Sequence, residues 1–156
     1  METTKGTYVA IDVENHEQLY NWFKDQGIEP IVSTEMHCTI AYSRKEFNID
    51  NHIGRIIIKP EQFIGIEELG NEGCAVLKYN SDELQDRFNT CMSAGATYDY
   101  DTYIPHTTFA LNLTKEQISK LKLPDFDIVL VNEHTDELNI EWKSKIENKD
   151  EESMMD

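Results

Sequence analysis

The chain passes twice through the same order of patterns, and each pass ends in a strand-like run that carries His-x-Thr. In the first pass, TYVAIDV (7–13) alternates and is rich in β-branched residues, which predicts a strand. NHEQLYNWFKDQG (15–27) then sets Leu19, Trp22 and Phe23 at helical spacing, with Gly27 as a stop signal. The first motif, His37-Cys38-Thr39, follows in a strand-like stretch from about Glu35 to Ser43. In the second pass, GCAVLKYN (73–80) predicts a strand and SDELQDRFNTCMSAG (81–95) a helix, capped by Ser81 and striped by Leu84, Phe88 and Met92. TYIPHTTFALNL closes it as a strand holding His106-Thr107-Thr108. Tyr8 precedes His37 by 29 positions, and Val76 precedes His106 by 30. A unit that recurs with a histidine at nearly the same offset predicts two pseudo-symmetric lobes whose motif strands come face to face.

Between and after these units the signals are weaker. GRIIIKPEQFIGIEELG reads as extended chain broken at Pro60 and Gly65. LTKEQISKLKL predicts a short helix capped at Thr114. DFDIVLVNEH and ELNIEWKSK predict two strands joined by a turn around Thr135 and Asp136. The expected fold is α+β: antiparallel sheet in two lobes around a central groove, with helices outside. A chain of 156 residues suits one domain, taken here as 1–145, and the charged stretch 146–156 reads as a solvated acidic tail.

Charge and cysteines narrow the function classes. A formal net charge of −16 repels polyanions at long range, which disfavours duplex DNA or long RNA but leaves room for a small anionic ligand in a locally polar cleft. Cys38, Cys74 and Cys91 are odd in number and lack CxxC spacing, so reduced, partly buried thiols are expected, with neither a disulfide framework nor a zinc cluster. Asp99, Asp101, His106 and Glu137 lack the spacing of known metal-binding helices, so neither metal nor cofactor is expected. The chain shows no run of about 18 apolar residues, and METTKGTY lacks the basic-then-apolar order of a secretory signal, so a cytoplasmic protein without a membrane partner is expected. The sequence sets no oligomeric state.

The motif spacing carries chemistry. Residues i and i+2 of a strand share a face, so His37 lies beside Thr39 and His106 beside Thr108. Two imidazoles flanking a phosphodiester can take a proton from the attacking oxygen and give one to the leaving oxygen, while the threonines hydrogen-bond the non-bridging oxygens. Histidine suits both roles, its ordinary pKa near 6.5 allowing one ring neutral and one protonated around neutral pH. If the nucleophile is a ribose 2′-hydroxyl, the first product is a 2′,3′-cyclic phosphate, which water then opens with the proton roles reversed. A single His-x-Thr is weak evidence, since a strand histidine is more often packing or surface. His16, His52 and His134 lack the pattern; only the two histidines that end the repeated units have it.

With these motifs and the duplicated order, residues 5–143 resemble the 2H phosphoesterases, which carry two His-x-Thr/Ser motifs in a bilobal α+β fold. Within them, KGTYVAID, the 69 positions from His37 to His106 and ELNIEW are most similar to the phage anti-CBASS phosphodiesterases. The resemblance implies a metal-independent hydrolase that linearises the cyclic di- and trinucleotides with which bacteria signal infection, acting in the cytoplasm of the infected host. It implies His37 and His106 as the acid–base pair, Thr39 and Thr108 as phosphate-gripping residues, and Tyr8 as an aromatic that stacks on a base of the ligand. The family's C-terminal tryptophan falls on Trp142, and its carboxylate on one of Glu133, Glu137 and Glu141, of which Glu137 is preferred.

Other side chains stay open at this level. An aromatic such as Tyr8 or Trp142 serves a core or its edge as readily as a base. Tyr98, Tyr100 and Tyr103, just before His106, describe equally a lid over the groove and an exposed margin. Lys5, Arg44 and Lys45 are candidates for offsetting the negative charge near ligand phosphates, or plain surface cations. The rival functions are an RNA-end phosphodiesterase that opens 2′,3′-cyclic phosphates or cleaves 2′-5′ linkages, a sponge that sequesters cyclic nucleotides, and a structural protein in which both motifs are incidental.

Overall fold

A computed structural model of the chain describes residues 5–49, 53–70, 73–100 and 102–139. The elements are β1 (Lys5–Val13), α1 (His16–Lys24), β2 (His37–Ser43), β3 (Ile56–Ile58), β4 (Phe63–Leu69), β5 (Cys74–Tyr79), α2 (Asp82–Ser93), β6 (His106–Ala110), α3 (Lys115–Ser119) and β7 (Ile128–Asn139), with 3₁₀ turns at Ser33–Glu35 and Pro60–Gln62. No helix among the described residues is long and apolar enough to cross a membrane.

The seven strands form one antiparallel sheet in the order β3-β7-β1-β2-β6-β5-β4. The two sheet lobes expected from the repeat are continuous with one another, because β2 pairs with β6 and joins the halves into one sheet. The repeat survives as a symmetry of strand order. Outward from the β2–β6 seam, each side runs through the motif strand, the strand that opened its unit, and a third strand, β7 on one side and β4 on the other.

Alternation along β1 divides the sheet into two faces. Val9, Ile11 and Val13 are buried in one cluster with Leu19 and Phe23 of α1, while Tyr8, Ala10 and Asp12 take the opposite face. Each fully buried side chain of this size contributes about 1.5–3 kcal/mol. The core crosses the repeat: Phe23 of the first unit stacks on Phe109 of the second at 3.7 Å and 5°. Gly6 permits the close approach of β1 to β2, since a Cβ there would stand 1.9 Å from the Ser43 carbonyl oxygen.

The helix caps form where the sequence predicts them. Ser81 accepts from the Leu84 N–H, and Thr114 forms a capping box with Gln117. The buried face of α2 is rotated from the expected stripe: Leu84 and Phe88 are buried, but Met92 is 37% exposed and Arg87 and Cys91 point inward. Arg87 can be buried because its guanidinium makes a forked contact with Glu133 at 2.9–3.1 Å.

The C-terminal region departs from expectation. No turn forms at Thr135 and Asp136; both lie inside the continuous strand β7, opposite Val9 and Tyr8. β1 supplies the hydrogen-bonding ladder that a hairpin partner was expected to give, and the extra residue is absorbed in a bulge beside Asn132, whose φ is +65°. Gly65 likewise sits within β4 at a register shift rather than ending it. The tail 146–156 and the domain end at 145 lie outside the described residues.

Candidate active site

The site is built at the β2–β6 seam, where Cys38 stands opposite Thr107. In an antiparallel pair this register sets Thr39 beside His106 and His37 beside Thr108, all on the face away from the helices. Cys38 and Thr107 turn inward and are fully buried. Each motif strand also bulges one residue past its threonine. Ile40 is the extra residue between the Thr39–Ala10 and Ala41–Val9 pairs, and Phe109 between the Thr108–Val76 and Ala110–Ala75 pairs. The first bulge returns Tyr42 to the face that carries His37 and Thr39.

Both histidines are held the same way. His37 Nδ1–H donates to the Glu35 carbonyl at 2.7 Å, and His106 Nδ1–H donates to the Ile104 carbonyl at 3.0 Å, each two residues upstream. A carbonyl can only accept, so Nδ1 carries the proton and Nε2 is the nitrogen for proton transfer in both rings. The Tyr8 hydroxyl lies 2.8 Å from His37 Nε2 and 3.0 Å from Thr39 Oγ1, touching both ends of the first motif.

A hydroxyl layer supports the seam from inside. Tyr103 donates to the Thr39 carbonyl at 2.8 Å, and Tyr79 shares a 2.8 Å hydrogen bond with Thr107. Burial pushes the Tyr79 and Tyr103 phenols well above their ordinary range and raises the Cys38 thiol too. These groups stay protonated, so Cys38 serves packing and is no thiolate nucleophile.

The four motif residues are shared between two cavities. One of about 450 Å³ is lined by Thr39 and His106 with Tyr42, Tyr98, Tyr100 and Lys78. The other, of about 400 Å³, is lined by His37 and Thr108 with Tyr8, Asp12, Glu35 and His134. Both volumes suit a small organic ligand. The charges beside the two histidines differ: Lys78 of β5 is the register partner of His106, and Asp12 of β1 that of His37.

His134 is a site-lining residue that the sequence reading passed over. Its ring joins Asp12 (3.1 Å) to Asp136 (2.9 Å), and Asn132 bonds the other oxygen of Asp12 at 2.9 Å. Burial pulls the imidazole pKa down, but the hydrogen bonds and charges of the two carboxylates outweigh it and the net shift is upward. The signal that finds His134 is its place opposite Ala10, which needs the β1–β7 register.

Glu137 is not brought to this group. It stands opposite Thr7, on the other face of β1, and pairs with Lys5 at 3.2 Å. Arg44 is held by Asp99, so neither Lys5 nor Arg44 is a bare surface cation. Of the three tyrosines before His106, Tyr103 is buried, Tyr98 is half-buried and Tyr100 is 52% exposed. Trp142, Glu141 and Asp101 lie outside the described residues.

A family model described as anti-CBASS protein Acb1 matches residues 5–145, which takes in both motif strands. The chain belongs to this family. An anti-CBASS protein Acb1 of Escherichia phage RB16 is 37% identical over 147 residues, covering 87% of this chain and 82% of the relative. The Acb1 protein of Acinetobacter phage Ac42 is 25% identical over 89% of this chain and 95% of its own length. A Caulobacter Acb1 relative is 26% identical over 89% of this chain but only 23% of its own length, so there the Acb1 region is part of a much longer protein.

Proposed function

We propose that the protein is a phosphodiesterase that opens cyclic di- and trinucleotide signals made of ribonucleotides, and that it thereby counters CBASS defence in the cytoplasm of an infected bacterium. The observation that carries this reading is the seam register, which sets two His-x-Thr motifs side by side, with Nδ1 of both rings tied to a backbone carbonyl two residues upstream. The relatives' description as anti-CBASS proteins supports the choice of ligand.

The phosphodiester sits over the four motif residues. Nε2 of one histidine takes the proton of the ribose 2′-hydroxyl as its oxygen attacks the adjacent phosphorus, and Nε2 of the other gives its proton to the departing 5′-oxygen. The ring opens to a linear oligonucleotide with a 5′-hydroxyl and a 2′,3′-cyclic phosphate. Water opens the cyclic phosphate in a second step, with the proton roles exchanged and both rings returned to their starting states. Each positioned acid or base contributes about 10²- to 10⁴-fold. Thr39 and Thr108 donate to the non-bridging oxygens, and Tyr8 bears on the first motif through its hydroxyl. Both proton carriers are side chains of this chain, so the scheme calls for no metal.

The test is product analysis in EDTA with 3′,3′-cyclic GMP-AMP, a cyclic tri-adenylate and an RNA ending in a 2′,3′-cyclic phosphate, beside His37→Ala and His106→Ala. Linear products from the cyclic substrates that vanish in both variants are expected. Turnover of the RNA end alone would move the function to RNA processing. Binding without turnover would make the protein a sponge.

A further inference from the structure

The four motif residues span two cavities, so a ligand whose phosphodiester lies over them extends into both. Their chemistry differs. The His37 side is lined by Asp12, Glu35 and His134, whereas the Thr39–His106 side is walled by tyrosines. We propose that the Thr39–His106 cavity is a nucleobase subsite in which a base of the ligand stacks on the Tyr98–Tyr100 wall, held in place by the Arg44–Asp99 ion pair. The proposal rests on the phosphodiesterase reading of the same site.

The wall has a fixed inner part and an exposed outer part. Tyr103 stacks on Phe88 at 4.5 Å and 4°, and Tyr98 meets Phe88 edge-on at 4.9 Å, so these rings belong to the core. Tyr100 adds a further edge-on contact to Tyr98 at 5.6 Å and is half exposed at the cavity. An aromatic ring left in that position presents apolar surface to water, which a flat π-faced ligand covers.

The segment that carries the wall is tied to the end of the motif strand β2. Arg44 N–H donates to Thr97 Oγ1 at 3.0 Å, and Thr97 N–H donates to Ser43 Oγ at 2.9 Å. Arg44 Nε contacts both oxygens of Asp99 at 3.2 Å, and a second guanidinium nitrogen reaches Asp99 at 3.1 Å. A forked pair of this kind fixes orientation as well as distance. It therefore sets Tyr98 and Tyr100 relative to Thr39, which lies on the same strand. Lys78, opposite His106 and paired with Glu67 at 2.8 Å, puts a cation on the cavity wall next to the phosphate position.

The test measures kcat and KM on 3′,3′-cyclic GMP-AMP for wild type, Tyr100→Ala, Tyr100→Phe and Arg44→Ala, with thermal unfolding of each. Tyr100→Ala is expected to raise KM by about 10-fold, with the loss on KM rather than kcat. Tyr100→Phe recovers most of that loss, because the aromatic face rather than the hydroxyl is the working part. Arg44→Ala, which releases the wall, raises KM in the same direction. A wild-type KM in Tyr100→Ala, or an equal loss in Tyr100→Phe, overturns the subsite while leaving the phosphodiesterase reading intact. A wild-type protein that neither binds nor cleaves the cyclic dinucleotide overturns both.

Discussion

The hydroxyl of Tyr8 stands 2.8 Å from Nε2 of His37, the nitrogen left for proton transfer once Nδ1 is committed to the Glu35 carbonyl. The same oxygen is 3.0 Å from Thr39 Oγ1, and the ring lies edge-on to both His37 and Tyr42. The polar end of Tyr8 is thus engaged with the first motif. A hydrogen bond to a group that becomes charged is worth about 1.5–3 kcal/mol. Tyr8→Phe is therefore expected to lose about 10-fold or more in kcat/KM, and Tyr8→Ala to lose little beyond that. If the ring serves only to stack on a base, Tyr8→Phe will match wild type in the same assay.

The threonines of the second motif separate by face. Thr108 shares the site face with His106, whereas Thr107 turns inward and its hydroxyl meets Tyr79 at 2.8 Å. Thr108→Val and Thr39→Val should each lower kcat by about 10²-fold, the loss typical of one oxyanion donor, and serine at either position should restore most of it. Thr107→Val should instead remove the hydroxyl partner of the buried Tyr79 phenol, leaving it the weaker Cys38 thiol, and cost about 1–3 kcal/mol in urea unfolding, with the catalytic constants little changed. Equal kinetic losses at positions 107 and 108 would refute the assignment of faces.

Arg87 and Glu133 form a buried pair between α2 and β7, with side chains 9% and 0% exposed. Glu133 also accepts the Ile53 N–H at 2.8 Å, so it ties together three stretches of chain. Arg87→Met leaves the carboxylate buried without its guanidinium and should cost about 3–5 kcal/mol in denaturant unfolding. The double variant Arg87→Met Glu133→Leu removes both charges and should recover much of that loss. A double variant as unstable as the single one would show that the backbone contact to Ile53, rather than the ion pair, dominates.

The local patterns were legible because their causes are local. Alternation in TYVAIDV, the Ser81 and Thr114 caps and the two His-x-Thr spacings depend on neighbours a few residues away, and the elements form there. The repeated unit points to the two motif strands meeting, but nothing in either strand announces that β2 and β6 are direct neighbours in one sheet, or the register that unites His37, Thr39, His106 and Thr108 on one face. The same reason hid His134 and misread Thr135–Asp136: both depend on β1 lying beside β7, and polar residues that read as a turn become strand when a partner ladder is present. Arg87 escaped because a charge on the inner face of a helix is intelligible only with Glu133 opposite it, 46 positions away.

His134 gives the fold a pH dependence, with stability falling as pH rises. Its ring bonds Asp12 and Asp136, and these carboxylates outweigh the burial that opposes them, lifting its pKa above the ordinary 6.5. The folded chain therefore holds the imidazole proton more tightly than the unfolded chain does. The resulting stability is fully present below the unfolded value near 6.5 and is lost as pH rises through the higher folded value. Because His134 is 37% exposed, solvent screening keeps the contribution below about 1 kcal/mol. Urea midpoints of wild type and His134→Gln, followed from about pH 6 upward, should converge as the wild-type imidazole deprotonates. A difference that stays flat across that range, or grows with pH, would show that the two carboxylates do not hold this proton in the folded state.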